Sequence, residues 1–356
     1  MCENLLTMTL RFQTLRPALF SLAMAVTLAG AAVVPAPSMQ ARAQSESFTD
    51  YMGTVAAHAR GQGVSEGTIT RTLSGLTPNP RVIELDSRQP GRSNTPPRMS
   101  SYLSSHMSAS LVARGRAKYQ SLASLLPGIE RRFGVPPSIL FAIWGHETNW
   151  GGFKGDFDTA RSLATLAWEG RRRALFEGEL IALMKMVDRG VPLETIKGSW
   201  AGAIGNPQFL PSVYLRLATD GDGDGKADIF NNSADTLASI ARYFQDSGWR
   251  PGQPWGVKAV LPAGFDVNRY RSKLRAPSCA AVHERHSQWK PVSEWRSLGV
   301  TPLGAIGDDV QAAVFQPDGP GTSAYLLTGN YRVILQYNCS NYYALSVGLL
   351  ADEIAR

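Results

Sequence analysis

The residue best placed to do chemistry in this chain is a single glutamate. In the run Val135-Pro136-Pro137-Ser138-Ile139-Leu140-Phe141-Ala142-Ile143-Trp144-Gly145-His146-Glu147-Thr148-Asn149-Trp150-Gly151-Gly152, the residues Leu140, Ile143, Trp144 and Glu147 recur at helical steps of three and four. The spacing predicts a helix whose apolar stripe is continued by a carboxyl group. Withdrawal from water favours the neutral acid, which can then keep its proton near neutral pH and hand it to a leaving group, the first requirement of glycosidic bond cleavage. The plainer alternative is a glutamate satisfied by an arginine or a backbone amide at a helix end.

A two-carboxylate glycosidase needs a second acidic group at a fixed distance, and the sequence does not announce one. Asp156 and Asp158 follow in a glycine-rich loop and read as solvated turn residues. A mechanism that recruits a neighbouring group of the substrate needs only one acid. Candidates for holding a sugar are more numerous. Between Lys197 and Ser212, small residues surround Ser199 and Gln208, whose side chains can bond hydroxyl or amide groups where glycines let the chain approach a ligand; a close-packed helix entrance is the equal alternative. Tyr337, Tyr342 and Tyr343, next to Asn338, can stack on sugar rings or simply pack. Arg171, Arg172 and Arg173 form either a solvated helical face or a grip on an anionic substrate.

The run Asp220-Gly221-Asp222-Gly223-Asp224-Gly225-Lys226-Ala227-Asp228 repeats the first nine positions of a calcium loop, with oxygen ligands at one, three, five and nine, glycine at six and the Lys226 carbonyl at seven. Asn231 stands where a bidentate glutamate is usual, which leaves Asp235 as the candidate to close the site. Such a site should bind Ca2+ weakly and brace the fold, with no metal needed for the chemistry. An Asx-rich surface turn is the alternative.

These residues must be carried by an exported chain. Arg11 and Arg16, the apolar stretch from Ala18 to Val34 and the small-x-small triplet Ala41-Arg42-Ala43 make residues 1–43 a secretory signal, with the mature chain starting at Gln44; an uncleaved anchor is the minor alternative. Loss of three arginines and one glutamate with that signal lowers the formal charge from +7 to +5, still basic. In the periplasm the matching polyanion is the cell wall, and there is no motif for nucleic acid. Cys2 leaves with the signal, so Cys279 and Cys339 are expected to pair; closing a loop of about 60 residues would contribute roughly 4 kcal/mol. Two free buried thiols are the alternative.

The expected organisation is an N-terminal wrapping arm over 44–106, a helical catalytic core over 107–249 with the aspartate loop at 220–235, and a small strand-bearing subdomain with a closing helix over 250–356. In the arm, Thr77-Pro78-Asn79-Pro80, Gln89 to Arg92 and Pro96-Pro97 resist regular structure. Turns are expected near Gly128, Gly134, Gly190 and Gly198, strands at Val257–Leu261 and Tyr331–Leu335, and a helix from Tyr342 to Ile354.

Together these runs resemble the lytic murein transglycosylase B family of bacterial cell-wall enzymes. The likeness rests on Gly134 to Pro137, Gly145 to Gly151, Arg172-Arg173, Gly198 to Ala203, Gln208-Phe209 with Pro211-Ser212, the aspartate loop, and Tyr337 to Ala344. It implies an α+β, predominantly α, lysozyme-like fold with Glu147 as sole catalytic acid and base, and calcium in the loop. It also implies a glycan groove lined by Arg172, Arg173, Ser199, Gln208, Phe209, Tyr243, Tyr337, Asn338 and Tyr343. The expected partners are peptidoglycan strands, and cell-wall synthesis complexes besides; no stable membrane span is expected after signal cleavage. Asn206-Pro207 departs from the short, flexible pair expected before Gln208, which bears on local groove geometry. The chain is expected to hold substrate by the groove alone, without an added wall-binding module. A hydrolytic muramidase and a non-catalytic, calcium-braced wall-binding protein are the rival readings.

Overall fold

The computed structural model describes residues 46–88, 97–273 and 275–356. The expected signal at 1–43 and the stretch Gln89 to Arg92 lie outside the described residues. Among the described residues no helix is long and apolar enough to cross a membrane.

The arm is largely helical outside its proline-rich stretches, with Thr77 to Asn79 and Pro97 in no regular element. It consists of α1 (Phe48–Gly61), α2 (Glu66–Leu73), α3 (Pro80–Ser87) and α4 (Met99–His106). The prolines at 78 and 80 do not disorder it, because Pro80 occupies the first helical position, where its missing N–H is no loss, and the Asn79 side chain accepts from Arg81 N. Polar anchors tie the arm down. The Asp86 carboxylate, 2 % exposed, takes Arg171 Nε at 2.9 Å and an Arg172 Nη at 2.6 Å. Tyr51 donates to Glu177 at 2.6 Å, and Asp188 receives both the amide and the hydroxyl of Ser65. At the other end Asp318 accepts from the amides of Met99 and Ser100.

The core continues through α5 (Ala109–Ser121), α6 (Leu126–Phe133), α7 (Pro137–Thr148), α8 (Thr159–Glu169), α9 (Arg173–Asp188), α10 (Pro211–Leu217) and α11 (Ser233–Asp246). The turn expected near Gly128 falls at 122–125, and α6 runs through Gly128 itself, with Pro127 in the first turn. Helix α7 is apolar nearly all round and is therefore buried, with Leu140, Phe141, Ala142 and Ile143 fully covered. It stops at Asn149, which adopts a left-handed conformation at φ 51°. Trp150 then folds its ring back onto the helix and donates Nε1–H to Phe141 O at 3.0 Å. That ring explains Gly145, where a Cβ would lie 2.5 Å from the indole.

The C-terminal part holds α12 (Ala280–His283), α13 (Val292–Ser297), α14 (Gly329–Tyr337) and α15 (Asn341–Ile354) around a five-stranded antiparallel sheet of order β4-β6-β7-β3-β5. Its strands are β3 (Gly256–Val260), β4 (Lys290–Pro291), β5 (Thr301–Pro302), β6 (Gln311–Phe315) and β7 (Ala324–Leu327); a separate ribbon pairs β1 (Phe157–Asp158) with β2 (Lys197–Gly198). The register sets Val257 and Val314 opposite Leu326, and these residues join Trp295 in a small core. Phe315, Tyr325 and Leu327 alternate onto the other face and enter the helical core. Both faces are covered.

Tyr331–Leu335 is helix, not strand. Thr328 caps it by accepting from Asn330 N, and Tyr331, Ile334, Leu335 and Tyr337 enter the core at helical spacing, so tertiary burial overrides the β preference of Val333 and Ile334. Cys279 and Cys339 form a disulfide, as expected. Helix α15 packs along α7 and brings the two halves of the site together.

Replacement of Asp86 by Ala is expected to lower stability by about 2 kcal/mol, since two arginines lose a buried partner. Limited proteolysis should then cut first in the arm, which can be checked by mapping the earliest fragments against the unsubstituted protein.

Candidate active site

Glu147 lies in the last turn of α7, with its carboxyl against α15. Its Oε1 accepts from Tyr343 Oη at 2.6 Å. Burial pushes the carboxyl up from 4.5 to about 7, and the Tyr343 bond, which favours the charged form, only partly opposes this. No second carboxylate among the described residues contributes to that shift. The group is therefore a single acid poised to be protonated or ionised at neutral pH.

Aromatic rings surround it. Tyr337 lies parallel to Tyr343 at 5° with centroids 6.5 Å apart, meets Tyr243 edge-on at 4.8 Å, and contacts Phe209 at 6.1 Å. Tyr243 Oη donates to Gln336 O at 2.8 Å. Tyr337 Oη donates to Pro207 O, which ties the platform to the segment between β2 and α10. That segment is a tight, bridged loop, with Ile204 pairing with both Gly198 and Phe209. Gln208, held at φ 50°, donates Nε2 to Gly205 O and Lys154 O. Ser199 Oγ accepts from Ala203 N at 3.0 Å, which leaves its own O–H to donate. The Oδ1 of Asn338 is buried without a partner.

The structure thus gathers Glu147, Tyr343, Tyr337, Tyr243 and Phe209 into one connected cluster and ties Gln208 to it through the loop that also carries Ser199. It engages the arginines differently. Arg172 pairs with Asp86 and lies over Phe176, while Arg173 reaches Glu46 and lies over Tyr51, so both secure the arm. Tyr342 donates to Pro97 O and packs on Tyr102. Asp158 caps α8. Sequence reasoning missed Tyr102 and the role of Thr148, and it flagged Asn206 without its partner. Tyr102 is close enough for Glu147 to help raise its pKa, yet it sits in an arm whose sequence pattern is mixed and points to no site. Thr148 donates to Asn206 O at 3.1 Å, a contact between residues 58 apart that no local pattern reveals.

In the aspartate loop, oxygens of Asp220, Asp222 and Asp235 lie within 4.8 Å of one another. Asp224 and Asp228 lie outside that group, although all five carboxylates accept loop amides, Asp224 from Lys226 N, Asp228 from Phe230 N, Asp220 from Gly225 N, Asp222 from Asp224 N and Asp235 from Gly221 N. Burial and the charges of Asp222 and Asp220 push Asp235 up. Three converging carboxylates suit a hard dication.

Residues 47–352 match the transglycosylase SLT domain. The chain belongs to that family. It is 34 % identical over 227 residues to membrane-bound lytic murein transglycosylase B of Escherichia coli, a match covering 63 % of this chain and 58 % of that relative's length. Among solved structures, SltB3 of Pseudomonas aeruginosa in complex with NAG-anhNAM-pentapeptide is similar at TM-score 0.78 and 37 % identity, covering 87 % of this chain and 80 % of that one. The E. coli lytic transglycosylase Slt35 in complex with calcium is similar at TM-score 0.70 and 27 % identity, covering 85 % and 92 %. The mostly helical fold with a small sheet is thus the fold of these family members.

The raised pKa has a cost for the fold. A carboxyl at about 7 in the folded chain and 4.5 when unfolded destabilises the fold progressively as pH rises between those values. Glu147→Gln is therefore expected to be more stable than the unsubstituted protein at pH 8, by up to about 3 kcal/mol, with the difference vanishing near pH 4. Thermal unfolding at the two pH values checks this.

Proposed function

We propose that this chain is a peptidoglycan lytic transglycosylase that cleaves the β-1,4 bond between N-acetylmuramic acid and N-acetylglucosamine and leaves 1,6-anhydromuramic ends. The observation that carries the reading is a lone proton-retaining carboxyl, bonded to Tyr343 beside stacked tyrosines, with no second acidic group perturbing it. Family membership and the anhydro-sugar ligand of the SltB3 structure support it.

Glu147 delivers its proton to the glycosidic oxygen, and the bond from the muramic C1 to that oxygen breaks. The substrate's 2-acetamido oxygen stabilises the positive C1, with Ser199 donating to the acetamide. The Glu147 carboxylate then takes the proton of the muramic 6-hydroxyl, whose oxygen closes onto C1. No water is consumed, and the acid returns to its starting state. Tyr343 assists the ionised stage through its hydroxyl bond to Oε1, while burial favours the protonated one.

Gln208, Phe209, Tyr243, Tyr337 and Asn338 hold the glycan in this reading. Arg172 and Arg173 keep the groove's flank in place through the arm. Calcium held by Asp220, Asp222 and Asp235 supplies rigidity and no chemistry. The setting is the periplasm, after removal of residues 1–43, with cell-wall synthesis complexes as partners.

Glu147→Gln should reduce release of soluble fragments from purified sacculi by at least about 10³-fold while leaving sedimentation with sacculi intact. Wild-type products should be one water lighter by mass spectrometry than those of a hydrolytic muramidase; reducing ends instead would establish that rival. Turnover should fall as pH rises through about 7, because the acid must start protonated. Addition of Ca2+ should raise the unfolding temperature and Asp222→Ala should remove that response; an identical shift in the variant would disprove the site.

A further inference from the structure

The turn that departs from expectation, Asn206-Pro207, is where three elements meet. Asn206 is 4 % exposed. Its carbonyl accepts from Thr148 Oγ1 at 3.1 Å, its amide donates to Ile229 O at 2.9 Å, and its side-chain Nδ2 donates to Thr236 Oγ1 at 3.0 Å and Phe230 O at 3.3 Å. The Thr236 hydroxyl spends its own proton on Asn232 O at 2.7 Å, so it must accept from Asn206, which fixes the amide's orientation. On the far side Asn232 Nδ2 donates to Asp222 Oδ2 at 2.7 Å.

A continuous hydrogen-bonded path therefore runs from the aspartate loop through Asn232, Thr236 and Asn206 to Thr148, the residue that follows Glu147. Thr148 is 2 % exposed and also accepts from Gly151 N at 3.2 Å, so it closes the end of α7 on both sides. Lys154 runs alongside, with its ammonium on Phe230 O at 2.6 Å and its carbonyl on Gln208.

We propose that Asn206 is a positioning residue for Glu147: through Thr148 it holds the end of α7 closed, and through Thr236 it makes that closure depend on the order of the aspartate loop. The inference rests on Glu147 being the acid. The groups facing that carboxyl are Tyr343 on α15, Tyr337 on α14 and Tyr102 on α4, with His146 beside it on α7. The three tyrosines ionise above the range in question, and burial depresses His146 to about 4, below it. A change in the midpoint of Glu147 near neutrality therefore reports access of water to the carboxyl.

The test follows the Glu147 carboxyl by carbon NMR titration, together with kcat and KM for release of anhydro products, in the full-length mature protein with and without EGTA. Asn206→Ala should lower the Glu147 midpoint by roughly one unit as water enters, move the basic limb of kcat by the same amount, and cut kcat more than KM. Thr148→Val should do likewise, and the double variant should be no worse than the more affected single one. Thr236→Val, which removes the partner hydroxyl and keeps the shape, reports on the same link should Asn206→Ala fail to fold. An unchanged midpoint and kcat in folded Asn206→Ala or Thr236→Val would overturn the proposal. A midpoint shifted in Asn206→Ala, together with a wild-type protein that releases no anhydro product, would support the coupling and refute the assigned activity, so the two failures are distinct.

Discussion

The hydrogen bond between Tyr343 and Glu147, formed between α7 and α15 with the glutamate half-buried, is the constraint on which the molecule depends. It joins residues 196 apart, so it exists only when the C-terminal helix has returned to the first half of the core. Each surrounding feature serves that return. The sheet buries one face against its own small core and the other against the helices, and the disulfide holds Cys339 between the two tyrosines that reach the site. Burial alone would keep the acid protonated, and the tyrosine bond alone would keep it ionised. Their opposition leaves a midpoint near 7, which suits the proposed reaction, in which the group gives and then takes a proton.

The arm contributes by a different route. Its charged residues face the core's arginines, so Asp86 and Glu46 occupy cations that composition alone would assign to solvent or substrate. Its last helix brings Tyr102 within electrostatic range of Glu147 and leans on Tyr342. The arm is therefore part of the wall of the site, fastened by Asp318 to the strand-bearing part.

Much of this was legible in the sequence because it is written locally. The stripe ending at Glu147, the closing helix and the first strand of the sheet follow from local spacing, as does the convergence of Asp220, Asp222 and Asp235, though the same spacing also pointed to Asp224 and Asp228, which stay outside it. The exceptions share a cause. Tyr331 to Leu335 has the residues of a strand and becomes helix because a capped turn and a buried face outweigh propensity. The arm's prolines read as breakers, yet Pro80 starts a helix. Arg172 and Arg173 find their partners 86 and 127 residues away, and Asn206 meets Thr148 only across the fold. No periodicity encodes such pairings.

Gly145 carries a lesson for anyone who would engineer this chain. Exchanging a mid-helix glycine for alanine is a standard way to gain about 1 kcal/mol, and the glycine two residues before the acid looks like an open invitation. The indole of Trp150 lies where the new methyl would go, 2.5 Å away. The substitution would have to lever that ring, together with its bond to Phe141, off the very helix it was meant to strengthen. Here a weak local preference is the condition for a tight helix end, and thermostabilisation should begin elsewhere.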